Sequence, residues 1–257
     1  MSGFQSFVLD WVAYRGARRR WARAARRASS MPLAQLRRER ARARNVMFSL
    51  HELVSVADNR LALPPEGSNA FVKPHGTDWA WRPRLWREPL LRPGVASAGN
   101  RTAMGDEVRL FHDCERSEVT LRQLRNCNPA DLAPYGVRMD VFAFDGSFLS
   151  LALDLPEAAV TGLRRNHLIR TDMIVSLEKP LEIFARLNIR HGPNTAQIVR
   201  ELPLGAEDNT VEFDLAYTRL NEKRVERAWI DLIFENPQMN QVMVHDLTFS
   251  RRPRAEL

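Results

Sequence analysis

From residue 106 onward, apolar and polar residues alternate with a period of two. In Thr210-Val211-Glu212-Phe213-Asp214-Leu215 every second position is apolar, and 241–249 mostly keeps the same rhythm. Such alternation turns one side of an extended chain toward a core and the other toward water. It predicts ten strands, over 107–112, 119–124, 137–144, 148–155, 168–177, 181–189, 195–202, 210–216, 228–235 and 241–249. The run Ala228-Trp229-Ile230-Asp231-Leu232-Ile233-Phe234 is more uniformly apolar and reads as a buried strand, with Trp229 in the core. Turn signals lie between the strands at Asp145-Gly146, His191-Gly192-Pro193-Asn194, Leu204-Gly205 and Asn236-Pro237. One helical interruption fits, over 156–166. Short strands so spaced predict a mainly β fold, a jelly-roll-like two-sheet β-sandwich.

The first sixty residues follow a helical period instead. Phe4, Phe7, Val8, Trp11, Tyr14, Trp21 and Ala25 recur at steps of three, four and seven, which predicts a helix over 3–28. Gly16 weakens that helix by about 1 kcal/mol relative to alanine and does not end it. Ser29-Ser30-Met31-Pro32 closes it and opens a second helix through Leu33, Leu36, Ala43, Val46, Met47 and Leu50, fading over 53–59. Residues 61–105 contain Pro64, Pro65, Pro74, Pro83, Pro89 and Pro93, which exclude long helices and central strands. The same stretch holds Phe71, Trp79, Trp81 and Trp86, more aromatic than a disordered linker. The expected organisation is a helical arm at 1–60, an irregular segment at 61–105 pinned to the domain surface by its tryptophans, and a β-sandwich at 106–257.

Charge sharpens this division. Residues 1–63 hold thirteen arginines, no lysine and four acids, a net +9, so the rest of the chain carries −2 of the total +7. A basic arm on a near-neutral body points to an anionic partner for the arm, with Arg15, Arg18, Arg19, Arg20, Arg23, Arg26 and Arg27 as the contact residues. The arm can meet an anionic membrane surface through the aromatic face of Phe4, Phe7 and Trp11, dock on the body or a partner as a solvated helix, or bind nucleic acid phosphates, which have less need of that face. No run of about 18 apolar residues predicts a membrane span. The N-terminus lacks the basic start and small-residue cleavage site of a secretory signal. Its acid-free stretch from Trp11 to Arg38 also has the composition of a mitochondrial presequence. Cys114 and Cys127 read as free thiols, which favours a reducing compartment. The expected location is the cytoplasm, with the arm able to hold the protein at the inner membrane.

Candidate chemistry is sparse. Six scattered histidines show no zinc spacing, and no phosphate-cradling glycine loop or nucleophile elbow is present, so no metal, cofactor or catalytic residue is assigned. In His112-Asp113-Cys114-Glu115, His112 and Cys114 share one side of an extended chain, the minimum for a cysteine nucleophile with a base. The segment 187–197 gathers Asn188, His191, Asn194 and Gln197, which offer both donors and acceptors to sugar hydroxyls. Trp79, Trp81 and Trp86 could supply the apolar face on which a sugar ring lies. The competing reading makes the asparagines turn residues and the tryptophans packing anchors.

Several strings carry a resemblance: Ala185-Arg186-Leu187-Asn188, His191-Gly192-Pro193-Asn194-Thr195, Glu212-Phe213-Asp214-Leu215, Trp229-Ile230-Asp231-Leu232-Ile233-Phe234, and 246–257. Through them residues 137–257 resemble an uncharacterised domain-of-unknown-function family of alphaproteobacteria, which implies no known activity. The last two strands are also similar, at the level of pattern, to galactose-binding-like and carbohydrate-binding-module sandwiches. The leading expectation is a non-catalytic β-sandwich that binds a glycan or a protein and is positioned by its basic arm. The alternatives are a membrane-surface or nucleic-acid-associated adaptor acting through the arm, and, third, a cysteine-dependent enzyme.

Overall fold

The computed structural model describes residues 3–61, 67–116, 118–128, 130–204 and 209–254. These fall into two units, 1–60 and 61–257. Gly205 of the expected turn at Leu204-Gly205, and the side chains of Phe4, Phe7 and Val8, lie outside the described residues.

The first unit is helical. Helix α1 (Gly3–Arg27) runs through Gly16 without a break, and a single 3-10 turn (Ala28–Ser30) leads to α2 (Leu33–Leu61). The Pro32 carbonyl accepts from the N–H groups of Gln35 and Leu36 at 3.0 and 2.9 Å and so starts α2. The second helix does not fade over 53–59. No glycine or proline interrupts the sequence before Pro64, so nothing ends the hydrogen-bond ladder there. No helix among the described residues is long and apolar enough to cross a membrane.

The second unit is a sandwich of two antiparallel sheets. Its strands are β1 (Trp79–Trp81), β2 (Gly94–Val95), β3 (Ala103–Met104), β4 (Val108–His112), β5 (Val119–Arg125), β6 (Tyr135–Val141), β7 (Leu149–Asp154), β8 (His167–Leu177), β9 (Ile183–His191), β10 (Asn194–Glu201), β11 (Asn209–Asp214), β12 (Val225–Phe234) and β13 (Asn240–Pro253). One sheet has the order β11-β8-β13-β6-β5-β2, and the other β10-β9-β12-β7-β4-β3. All ten strands expected from the alternation are present, and Glu157–Val160 is the helical interruption. Their inward positions, among them Leu110, Leu151, Leu187, Phe213, Leu232 and Phe249, form the core.

The segment 61–105 is less irregular than its prolines imply. It supplies β1, β2 and β3, each of two or three residues and so short enough to fit between prolines. Strand β1 continues the line of β6 along β13: β6 pairs with Asn240–Val244, and β1 with Phe249–Arg251. A register shift in β13 between Val244 and Asp246 separates the two stretches. There Asp246 turns to meet Arg82, which is completely enclosed. The Arg82 Nε and Nη2 donate to the two carboxylate oxygens at 2.8 Å each, and the guanidinium also reaches the carbonyls of Ser68 and Ala70. A forked, fully hydrogen-bonded pair is the arrangement in which a buried charge can be carried.

Candidate ligand-binding face

Strand parity decides where each candidate residue points. In β12, Ala228, Ile230, Leu232 and Phe234 face the core, so Arg227, Trp229, Asp231 and Ile233 face outward. Trp229 is therefore not a core residue. It stands half-buried on the outer face of the sheet, with Asn188 of β9 and Asp154 of β7 as its cross-strand neighbours. Arg109 and Phe111 on β4, and Ser150, Ala152 and Asp154 on β7, take the same outward parity. With Phe148 they line a groove of about 590 Å³ across four strands.

The polar floor of this groove is held by hydrogen bonds. Arg186 on β9 donates to Oδ2 of Asp231 from Nε at 3.0 Å and from Nη2 at 2.8 Å. The Asn188 amide donates to the same oxygen at 2.9 Å, and Gln197 of β10 donates to Oδ1 of Asn188 at 2.9 Å. Three donors thus converge on one carboxylate oxygen, while Oδ1 of Asp231 takes no partner among the described residues. Beside this chain Arg109 pairs with Asp154 at 2.8 Å, and the Arg227 guanidinium lies 4.8 Å from the centre of the Trp229 ring. Side chains fixed this way offer a ligand an acceptor and aromatic surface whose ordering has already been achieved by folding.

The expected sugar-binding loop at 187–197 is not a loop. It is the tight hairpin between β9 and β10, paired in register from Asn194–His191 to Glu201–Phe184. Its four candidates divide between the two faces. Asn188 and Gln197 point outward and belong to the chain on Asp231. His191 points inward, is buried, and accepts from the Asn221 N–H through Nδ1 at 3.4 Å. Asn194 is exposed at the turn. His191, Asn194 and Gln197 nevertheless line one cavity of about 660 Å³, with Tyr217 and Arg219, whereas Asn188 is not among its lining residues.

The three linker tryptophans also separate from the groove. Trp86 has no exposed surface, and its indole N–H donates to the Val244 carbonyl at 3.1 Å, so it is a core residue and not a ligand platform. Trp79 and Trp81 stack on each other with centroids 6.4 Å apart, and Trp81 stacks on the buried Phe249 at 5.6 Å. Both pack on the core from β1. Trp79, Trp81 and Trp86 stand out in the sequence as aromatics of a proline-rich segment, whereas the uniformly apolar run around Trp229 reads as core and gives no signal for Asp231, Arg186, Arg109 or Asp154. The signal that would have found them is the parity of β12: Ile230, Leu232 and Phe234 inward places Trp229 and Asp231 together on the other side.

The His112–Cys114 pair does not form a nucleophile with its base. The His112 ring meets the Ala98 carbonyl through Nε2 at 2.8 Å and accepts the Cys114 N–H through Nδ1 at 3.2 Å, so main-chain groups occupy both nitrogens. Burial pushes the Cys114 thiol above its ordinary range, and a thiol held protonated is a poor nucleophile. Asp113 grips the next turn through Ser147 and the N–H of Phe148, and the Ser147 hydroxyl above all draws its carboxyl below the usual range. Both cysteines are free thiols.

The fold and site together define a two-sheet antiparallel β-sandwich with a polar, aromatic groove across one open sheet face. The chain belongs to the family of unknown function DUF6478, whose model matches residues 1–257. A comparison with curated proteins found no match. Among solved structures, the chain is similar to a family 11 carbohydrate-binding module from Clostridium thermocellum in complex with a β-1,3-1,4-mixed-linked tetrasaccharide, with 11% identity, 64% of this chain and 98% of that one covered, and a TM-score of 0.38. It is also similar to a putative sugar binding protein from Bacteroides thetaiotaomicron (10% identity, 63% and 96% covered, TM-score 0.38). A third likeness is to the enzymatically active domain of tailspike protein 4 of bacteriophage CBA120 (9% identity, 61% and 21% covered, TM-score 0.40).

Proposed function

We propose that the sandwich is a non-catalytic binding module that takes a glycan across the groove on β4, β7, β12 and β9. The observation that carries this reading is the placement of Trp229 and Asp231 together in the groove lining: a half-buried aromatic beside a carboxylate that three donors hold in place through one oxygen. A sugar ring presents an apolar face and hydroxyl donors at its edge, and these two groups match those features. The test is affinity electrophoresis against a panel of neutral and acidic polysaccharides, followed by calorimetry. Trp229→Ala should weaken binding about tenfold or more, while leaving the melting temperature close to the parent's because the ring lies on the outer face. A folded parent protein that binds no member of the panel, or a Trp229→Ala variant that binds as well as the parent, would overturn the proposal.

A second reading concerns the helical unit. Arg15, Arg18, Arg19, Arg20, Arg23, Arg26 and Arg27 are all exposed, and of these only Arg20 has a carboxylate within 4 Å among the described residues, Glu39 at 3.8 Å. Exposed Trp11 and Tyr14 accompany them. Unneutralised cations beside exposed aromatics suit an anionic bilayer surface, which would place the protein at the periphery of a membrane.

A further inference from the structure

The geometry points to an anionic group, a carboxylate or a sulfate ester, on the glycan that the groove takes. This inference rests on the glycan reading above and adds the charge of the ligand.

Strand β12 is irregular near its start. The pairing of β12 with β9 slips by one residue between Val225, opposite His191, and Arg227, opposite Arg190. A β-bulge of this kind sets two residues of one strand against one of its partner and re-aims a side chain. Glu226 is the extra residue, and it pairs with Arg190 at 3.1 Å. Arg227 thereby stands directly across from a guanidinium that already has its counter-charge.

The other groove arginines are neutralised in the same way. Arg186 is committed to Asp231, and Arg109 to Asp154. Three arginines and two aspartates line the groove, and Arg227 is the arginine left over. No carboxylate lies within 4 Å of it among the described residues, and its guanidinium lies 4.8 Å from the Trp229 ring centre, both side chains lining the groove. A planar donor set over an aromatic face, next to a site for a sugar ring, is placed to receive an oxyanion carried on that sugar by paired, charge-assisted hydrogen bonds. Trp229 and Asp231 then hold the sugar while Arg227 selects its charge.

Calorimetry on the full chain tests this with three oligosaccharides of one length: an oligogalacturonate, a sulfated galactan fragment and the neutral galactan fragment. The parent should bind at least one anionic probe about tenfold more tightly than the neutral one. Uronate preference identifies a carboxylate as the recognised group, and sulfate preference a sulfate ester. R227Q should bring the ratio to about one, and R190Q, outside the groove and already paired, should keep the parent's preference. Equal affinity of the parent for neutral and anionic probes overturns the inference and leaves the glycan reading standing. So does an anionic preference that survives in R227Q, since it would then come from the arginines of the helical arm. Failure to bind any of the three, by a protein that also binds nothing in the wider polysaccharide panel, overturns both.

Discussion

Arg82 and Asp246 lie 164 residues apart in sequence and meet as a buried pair, so neither can lose its partner cheaply. Asp246→Ala leaves an uncompensated buried guanidinium, and the expected loss is about 3–5 kcal/mol. Urea unfolding should show it as a lower midpoint with an unchanged slope. A titrating contact lies at the start of the neighbouring strand β8, where His167 pairs with Pro253 of β13. His167 is buried, accepts the Arg164 N–H through Nδ1 at 2.9 Å, and faces Arg251 and, at 3.6 Å, Asp78. Burial first, and the Arg251 charge second, hold its pKa below the ordinary imidazole value, with Asp78 opposing them. The unfolded chain therefore takes up a proton at His167 at a pH where the folded chain does not. Stability contributed by the neutral ring is complete above the unfolded pKa, about 6.5, and falls as the pH drops below it. Melting temperatures measured between about pH 7.5 and 5.5 should decline more steeply for the parent than for His167→Gln. Parallel profiles would assign the acid sensitivity to other groups.

Among the elements, legibility followed how far a pattern repeats. Strands such as β11 and β13 were readable because several alternating residues fix both the element and its inward face. Strands β1, β2 and β3 were not, since two or three residues between prolines carry no period; they exist because β13, β5 and β4 offer them an edge. The candidate site was half legible. Asn188 and Gln197 were singled out and do line up on the outer face, but the turn signal at His191-Gly192-Pro193-Asn194 drew attention to a loop. The strand pairing that carries their side chains continues right up to it. Trp229 was misplaced because the almost unbroken apolar run in β12 hides its parity until the core residues are known. The hairpin gives a direct test of what the turn residues do. Gly192 sits at a φ of +59°, which an L side chain adopts at a cost, while Asn194 is exposed with no hydrogen bond from its side chain among the described residues. Gly192→Ala should cost about 1 kcal/mol, and Asn194→Ala should stay within about 0.5 kcal/mol. The reverse order would mean that Asn194, not the glycine backbone, holds the turn.

For the whole chain, the division into a helical unit and a sandwich lets the two proposed roles be tested separately. Among the described residues, the strands of the sandwich pair with one another, and its buried core cluster runs from Leu85 to Phe249. A protein comprising 61–257 should therefore unfold cooperatively and keep whatever the groove binds. The arm should carry the salt-dependent binding. Each arginine brought to an anionic surface contributes about 1 kcal/mol, and screening weakens that contribution within a Debye length of about 8 Å at physiological salt. The full chain should bind vesicles containing anionic lipid at low salt and release them as salt is raised, whereas 61–257 should not bind them at either. Trp11 and Trp21 lie among the arginines, Trp11 with the Arg15 guanidinium 4.1 Å from its ring centre, so their emission should shift to the blue on binding. Unchanged emission from the full chain with anionic vesicles at low salt would remove the membrane reading. Retention of the same emission shift in a variant with Arg15, Arg18, Arg19, Arg20, Arg23, Arg26 and Arg27 replaced by glutamine would show that the aromatic residues, and not the charge, bring the arm to the bilayer.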